Sequence, residues 1–203
     1  MKATVIVLTF FLMSCGGSNE QGGEKENKNE DKFEISKLEK AQNCDKIEGR
    51  QLAEGEEFPE NYTGFIKQCY PSGMLHRIGY FEKSQQEGAA RSYYESGNLK
   101  VDALWKEGKL NGLTTAYYDN GKVQSTLTYK DNLKHGEQIV FYENGELQSK
   151  AKFVNGELNG EYITYHENGQ MKLRVPVVNG KPVKEESEFW DEEGNKVEGN
   201  IKR

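Results

Sequence analysis

Glycine recurs every 24 residues along this chain, at Gly73, Gly97, Gly121, Gly145 and Gly169. A second series, Gly64, Gly88, Gly112, Gly136 and Gly160, keeps the same interval. Three apolar columns share it: Phe81, Trp105, Tyr129 and Phe153, ended by Val177; Tyr93, Tyr117, Phe141 and Tyr165; and Leu75, Leu99, Val123, Leu147 and Met171. A chain with such a period folds as one small unit laid down repeatedly beside itself.

Each unit contains two strands. Tyr162 to His166 alternates in polarity, and the return segment puts Met171, Leu173, Val175 and Val177 on one face with Lys172 and Arg174 on the other. Alternation of period two, broken by turn residues every few positions, predicts an antiparallel meander. Asn-Gly at Asn120-Gly121, Asn144-Gly145 and Asn168-Gly169 predicts tight type I′ turns, whose two central residues both need positive φ. The second turn is expected at Asn179-Gly180 or, one unit earlier, within Gly156 to Gly160. A lone hairpin is marginal in water, so neighbours must supply the stability. Two strands separate equivalent residues, which spaces them by about 9–10 Å. The fold expected is all-β: an elongated, curled, single-layer antiparallel meander of 24-residue hairpins over residues 42–203.

The unit G-x4-YY-x-[NS]-G-x-[LV], followed by an aromatic and G-x-L-x-G as in Gly108 to Gly112, resembles the MORN repeat in its bacterial variant form. The resemblance covers about residues 49–203. The eukaryotic repeat carries a Tyr-x-Gly-x-Trp core that this chain lacks, so lipid and tubulin roles do not transfer. The bacterial resemblance implies an antitoxin-like component of a toxin–antitoxin system.

The N-terminal part reads differently. Lys2 precedes an apolar run from Ala3 to Met13, which is too short for a bilayer core of about 30 Å that needs roughly 20 residues. A basic start, a short apolar stretch and a small residue before the cut describe a secretory signal over residues 1–14. Leu12-Met13-Ser14-Cys15 resembles a lipobox, making Cys15 the lipidated residue and the protein an exported bacterial lipoprotein; Gly16 in place of Asp implies the outer membrane. Residues 15–41 carry no apolar side chain before Phe33 and read as an acidic, disordered tether, with a short helix possible over residues 34–41. Cys44 and Cys69, 25 residues apart, are expected either to bridge neighbouring hairpins or to lie buried as separate thiols. Lys181-Pro182 and the charged stretch after it are expected to blunt the last sheet edge, and Trp190 with Glu193-Gly194 to form a final half-unit.

Little in the chain points to chemistry. The net charge of −6, with no basic run, argues against nucleic acid and against anionic lipid on the folded surface. A catalytic residue should break its column, and the breaks are bland. His76 stands where Lys100, Gln124, Gln148 and Lys172 stand, and His135 precedes a turn glycine like Asn111 and Asn159. His166 replaces Tyr94, Tyr118 and Tyr142. None has metal-ligand spacing. Ser72 and Ser96 substitute for turn asparagines, and no nucleophile or phosphate-loop motif occurs. No catalytic residue, metal or cofactor is therefore expected. Glu95, Asp119, Glu143 and Glu167 form an acidic row beside the Asn/Ser-Gly turns, either solubilising or a strip for a basic partner. Their spacing is too wide for them to share one Ca²⁺. The exposed sheet face, with Trp105, Tyr94, Tyr118 and Tyr142, is the broader candidate for protein contact. The function expected is a non-catalytic, lipid-anchored interaction scaffold in the cell envelope, touching the membrane only through its N-terminal lipid. The second reading is an antitoxin- or immunity-like inhibitor that occludes a toxin.

Overall fold

The computed structural model describes Ile35, residues 38–53 and residues 56–199. Cys15, the signal over residues 1–14 and most of the tether lie outside these residues. The strands are β1 (Arg50–Gln51), β2 (Gly64–Cys69), β3 (Leu75–Glu82), β4 (Gln85–Tyr93), β5 (Leu99–Lys106), β6 (Lys109–Tyr117), β7 (Val123–Lys130) and β8 (Leu133–Phe141), followed by β9 (Leu147–Val154), β10 (Glu157–Leu158), β11 (Gly160–Tyr165), β12 (Met171–Val178), β13 (Lys181–Pro182), β14 (Glu188–Trp190) and β15 (Lys196–Val197). They form one open 15-stranded sheet in chain order, with the short β10 and β13 pairing only with β9 and β12. Apart from the parallel β1–β2 pair, neighbours run antiparallel. The expected all-β meander is the fold observed. Among the described residues no helix is long and apolar enough to cross a membrane.

The second turn falls at Asn179-Gly180 as expected, but type I′ geometry belongs to this turn and not to the Asn-Gly turns for which the sequence predicts it. Type I′ geometry, with positive φ at both central residues, occurs at Lys83-Ser84, Glu107-Gly108, Asp131-Asn132, Asn155-Gly156 and Asn179-Gly180. Asn120, Asn144 and Asn168 do not have positive φ; only the glycines after them do. In those loops Gly121 N–H donates to Tyr118 O and Tyr118 N–H to Lys122 O, each at 2.9 Å. This is a three-residue loop closing on a left-handed glycine. The asparagine serves through its side chain: Asn120 Oδ1 accepts from Lys122 N–H at 2.9 Å and Asn144 Oδ1 from Glu146 N–H at 2.8 Å. Such a local bond mimics a turn and leaves the left-handed region to the next residue. Gly145 has φ +101°, and a Cβ there would meet nothing closer than 4.0 Å. Gly145→Ala should therefore cost only the conformational penalty, about 1–2 kcal/mol, read as a lower denaturation midpoint.

The second glycine series also departs from expectation. Gly88 and Gly136 are not turn residues but lie at mid-strand bulges, where the register shifts between Gly79 and Tyr80 and between Leu127 and Thr128. His135 accordingly sits inside β8, not at a turn.

In the repeats the buried stripe is Ala103, Leu127, Ala151 and Val175, joined in the last unit by Val177. The densest core lies at the N-terminal end, where Ile35, Leu38, Cys44 and Ile47 cluster with Leu75, Ile78 and Tyr93. Ile35 and residues 38–41, assigned by composition to the tether, therefore belong to a cap that covers one face of the first hairpins. Two apolar side chains suffice for this because the cap is also pinned by its backbone: Ala41 N–H donates to Gly97 O at 2.8 Å and Leu75 N–H to Gln42 O at 2.9 Å. At the other end β14 pairs with β12 and β15 with β14, placing Phe189 opposite both Leu173 and Val197.

Candidate functional site

Side-chain hydrogen bonds repeat with the same period as the sequence. Tyr70, Tyr94, Tyr118 and Tyr142 donate their phenolic O–H to the carbonyls of Tyr93, Tyr117, Phe141 and Tyr165, at 2.7–2.8 Å. His166, which replaces tyrosine in this column, keeps the ladder going through Nε2, 3.0 Å from Trp190 O. These tyrosines are thus clamps between successive units. Tyr118→Phe should cost about 1 kcal/mol, the net worth of one such bond, and Tyr142→Phe the same; matched chemical-denaturation curves would measure both.

A second ladder runs through the loop tips. Asn98 Nδ2 donates to Asp119 O at 2.7 Å, Asn120 Nδ2 to Glu143 Oε1 at 3.3 Å, and Asn168 Nδ2 to Glu192 O at 2.8 Å. Ser96 Oγ bonds the Asp119 carboxylate. The acidic row Glu95, Asp119, Glu143 and Glu167 lies along this edge, exposed, and Asp119 and Glu143 accept bonds from the unit before them. At the opposite edge the backbone reaches back: Gly108 N–H donates to Gln86 O, Asn132 N–H to Leu110 O and Gly156 N–H to Lys134 O, at 2.8–3.0 Å.

The histidines are scattered. His76 stacks against Tyr70 with ring centroids 4.5 Å apart; burial, then the nearby Arg77 and Lys100 charges, hold its pKa below the usual histidine value. His135 has a buried Nδ1 with no hydrogen-bond partner among the described residues. No group of three or more His, Cys, Asp or Glu able to hold a metal occurs among the described residues. Cys44 and Cys69 are joined in a disulfide, with Cα atoms 6.3 Å apart.

Sequence reasoning missed the residues that hold the cap. Lys67 is buried, and its Nζ donates to Cys44 O at 2.7 Å and also to Ile47 O. Arg91 donates to Leu38 O at 3.0 Å and is paired with Asp102 at 2.6 Å. A signal existed, because the column Lys67, Arg91, Thr115, Ile139, Ile163 turns cationic only in the units the cap covers.

Large apolar side chains remain exposed in the half of the sheet near the two-residue turns: Leu104, Leu113, Leu133, Val154 and Val178 are 39–57% accessible.

The family model described as MORN repeat variant matches residues 86–107, 110–131, 134–155 and 158–179 in succession. Its four segments begin 24 residues apart, in step with β4, β6, β8 and the β10–β11 pair. A comparison with curated proteins finds no match.

Proposed function

Four consecutive repeats make this chain a MORN-variant repeat protein, and from that premise we propose that it acts as a non-catalytic interaction scaffold, tethered to the cell envelope through lipid on Cys15. The observation that carries the reading is the row of exposed Leu104, Leu113, Leu133, Val154 and Val178 on a sheet whose recurring polar side chains already bond its own neighbouring units. A surface stiffened in this way offers apolar contact area at little ordering cost, which favours binding another protein.

The test is photo-crosslinking in intact cells, with the reactive group placed at position 113 and, in a second strain, at position 119. A discrete partner adduct at 113 that disappears with Leu104→Lys and Val154→Lys is the expected result. Equal labelling at both positions, insensitive to those changes, would dismiss the apolar surface. A captured toxin would select the inhibitor form of the reading. For the tether, metabolic labelling with a radioactive fatty acid should mark the chain and be abolished by Cys15→Ser; retained label would remove the lipid anchor.

A further inference from the structure

On the sheet face that holds the buried stripe, one cross-strand row contains Ile66, Gly79, Ala90, Ala103, Thr114, Leu127 and Gln138, each paired with the next. Along it the residues are smallest over three consecutive strands, at Gly79, Ala90 and Ala103. The departure from the repeat is at Ala90, where later units carry Thr114, Gln138 and Tyr162, and at Gly79; the column of Gly79 and Ala103 continues as Leu127, Ala151 and Val175, so alanine returns there once.

The missing side chains leave a pocket of about 300 Å³, at the small end of ligand-sized cavities. Its lining includes Ala90 and Ala103, Gly79 with the Gln86 amide lying over it, and the aromatic rings of Phe58, Phe81 and Trp105. Phe58 comes from outside the repeat and packs on Phe81 with ring centroids 4.8 Å apart. Trp105 is the one tryptophan in a column otherwise made of Phe, Tyr and Val. Among the described residues Arg77 lines it and no carboxylate does, in a chain whose net charge is −6; the Arg91 guanidinium bonds Leu38 O of the cap, on the other face of the sheet. Arg91 is held by Asp102, whereas Arg77 is exposed and makes no ion pair among the described residues.

We propose that this pocket anchors an aromatic side chain of an extended, acidic partner segment, with a flanking carboxylate meeting Arg77. A ring fits the volume and finds three aromatic faces, the kind of enclosed site that concentrates binding energy in one anchor. The Arg77 guanidinium, in no ion pair among the described residues, supplies a strong polar preference there, for a carboxylate it can grip with two N–H groups. The assignment rests on the reading of the chain as a protein-binding module, and it names a different surface from the exposed leucines.

The probe is the capped peptide Glu-Gly-Phe-Gly-Glu, titrated onto the full chain on zwitterionic vesicles, with Trp190→Phe so that Trp105 reports alone. A saturable change in Trp105 emission is expected, at least tenfold weaker when the central Phe is Ala. The double variant Ala90→Thr/Ala103→Leu fills the floor with the pair that stands one unit later, and should weaken binding at least tenfold. Should that variant melt early, Ala103→Val, the residue found at Val175, replaces it. Arg77→Glu should weaken the acidic peptide at least fivefold but leave a Gln-flanked version within twofold. No saturable change, or equal binding to the filled variants, overturns the proposal. So does 3-phenylpropionate binding as tightly as the peptide, which would make the site one for a small organic anion. Self-association in sedimentation that the filled variants abolish would instead assign the pocket to a second copy and overturn it as well. If crosslinking at position 113 still finds its partner when the peptide fails, the scaffold reading survives without this pocket.

Discussion

Tyr93→Ala should lower the stability of the chain by about 4 kcal/mol, the range for deleting a large buried aromatic, and Tyr93→Phe by about 1 kcal/mol or less. The side chain has 0% accessibility and packs in the cluster with Leu38, Leu75 and Ile78. Its phenol donates to Leu38 O at 2.7 Å. That carbonyl also accepts from Arg91, so the phenylalanine variant orphans no acceptor, which is why its loss is small. The same burial pushes the phenol pKa up to about 12, against about 10 in an unfolded chain. The folded state therefore holds this proton more tightly than the unfolded state. Its contribution is complete below pH 10 and is lost as the pH rises towards 12. Denaturation midpoints for the wild type should fall across that window more steeply than those of Tyr93→Phe. An alanine variant losing less than about 1.5 kcal/mol would mean that the cap does not pack as described.

Removing the Cys44–Cys69 bridge with Cys44→Ser/Cys69→Ser should cost about 3 kcal/mol, the chain-entropy value for a loop of this length; the cysteines are 25 positions apart. The loss should be felt unevenly. The bridge ties the cap to β2, so amide exchange should accelerate at Ala41, Cys44 and Leu75, whose N–H groups bond across the cap boundary to Gly97, Gly73 and Gln42. Thr126, paired inside the repeats with Ile139 and Thr115, should keep its protection. Uniform acceleration at all four amides would contradict a locally acting bridge and indicate a single cooperative unit.

The repeat was fully legible because glycine and aromatic columns report directly on strand register. The turn types were not. Asn-Gly favours a type I′ turn when only the dipeptide is considered, but the same three-residue loop also forms at Ser72-Gly73 and Ser96-Gly97, so the dipeptide does not decide the loop; the amides of Asn120, Asn144 and Asn168 donate one unit on instead. The cap was hidden by averaging: residues 15–41 are polar as a whole, while Ile35 and Leu38 within them join the buried cluster. The pocket was present in the sequence as small residues at Gly79, Ala90 and Ala103, yet recognising it required knowing that these three lie side by side on adjacent strands. Which aromatics are exposed also needed coordinates, because alternation distinguishes two faces without saying which one a cap will cover.

The two edge ladders have a bearing on how the chain matures during synthesis. Along one margin each hairpin extends hydroxyls and amides to the hairpin that follows, and along the other it receives an N–H from it. A newly made hairpin is therefore chemically unfinished until its successor emerges, and only the N-terminal cap and the closing half-unit with Trp190 and Glu192 terminate the series. Zippering from the first hairpin outward is the order such wiring favours. A gain or loss of whole 24-residue modules between the two termini would leave every junction intact, so the reach of the structure can be lengthened or shortened in evolution without redesigning it.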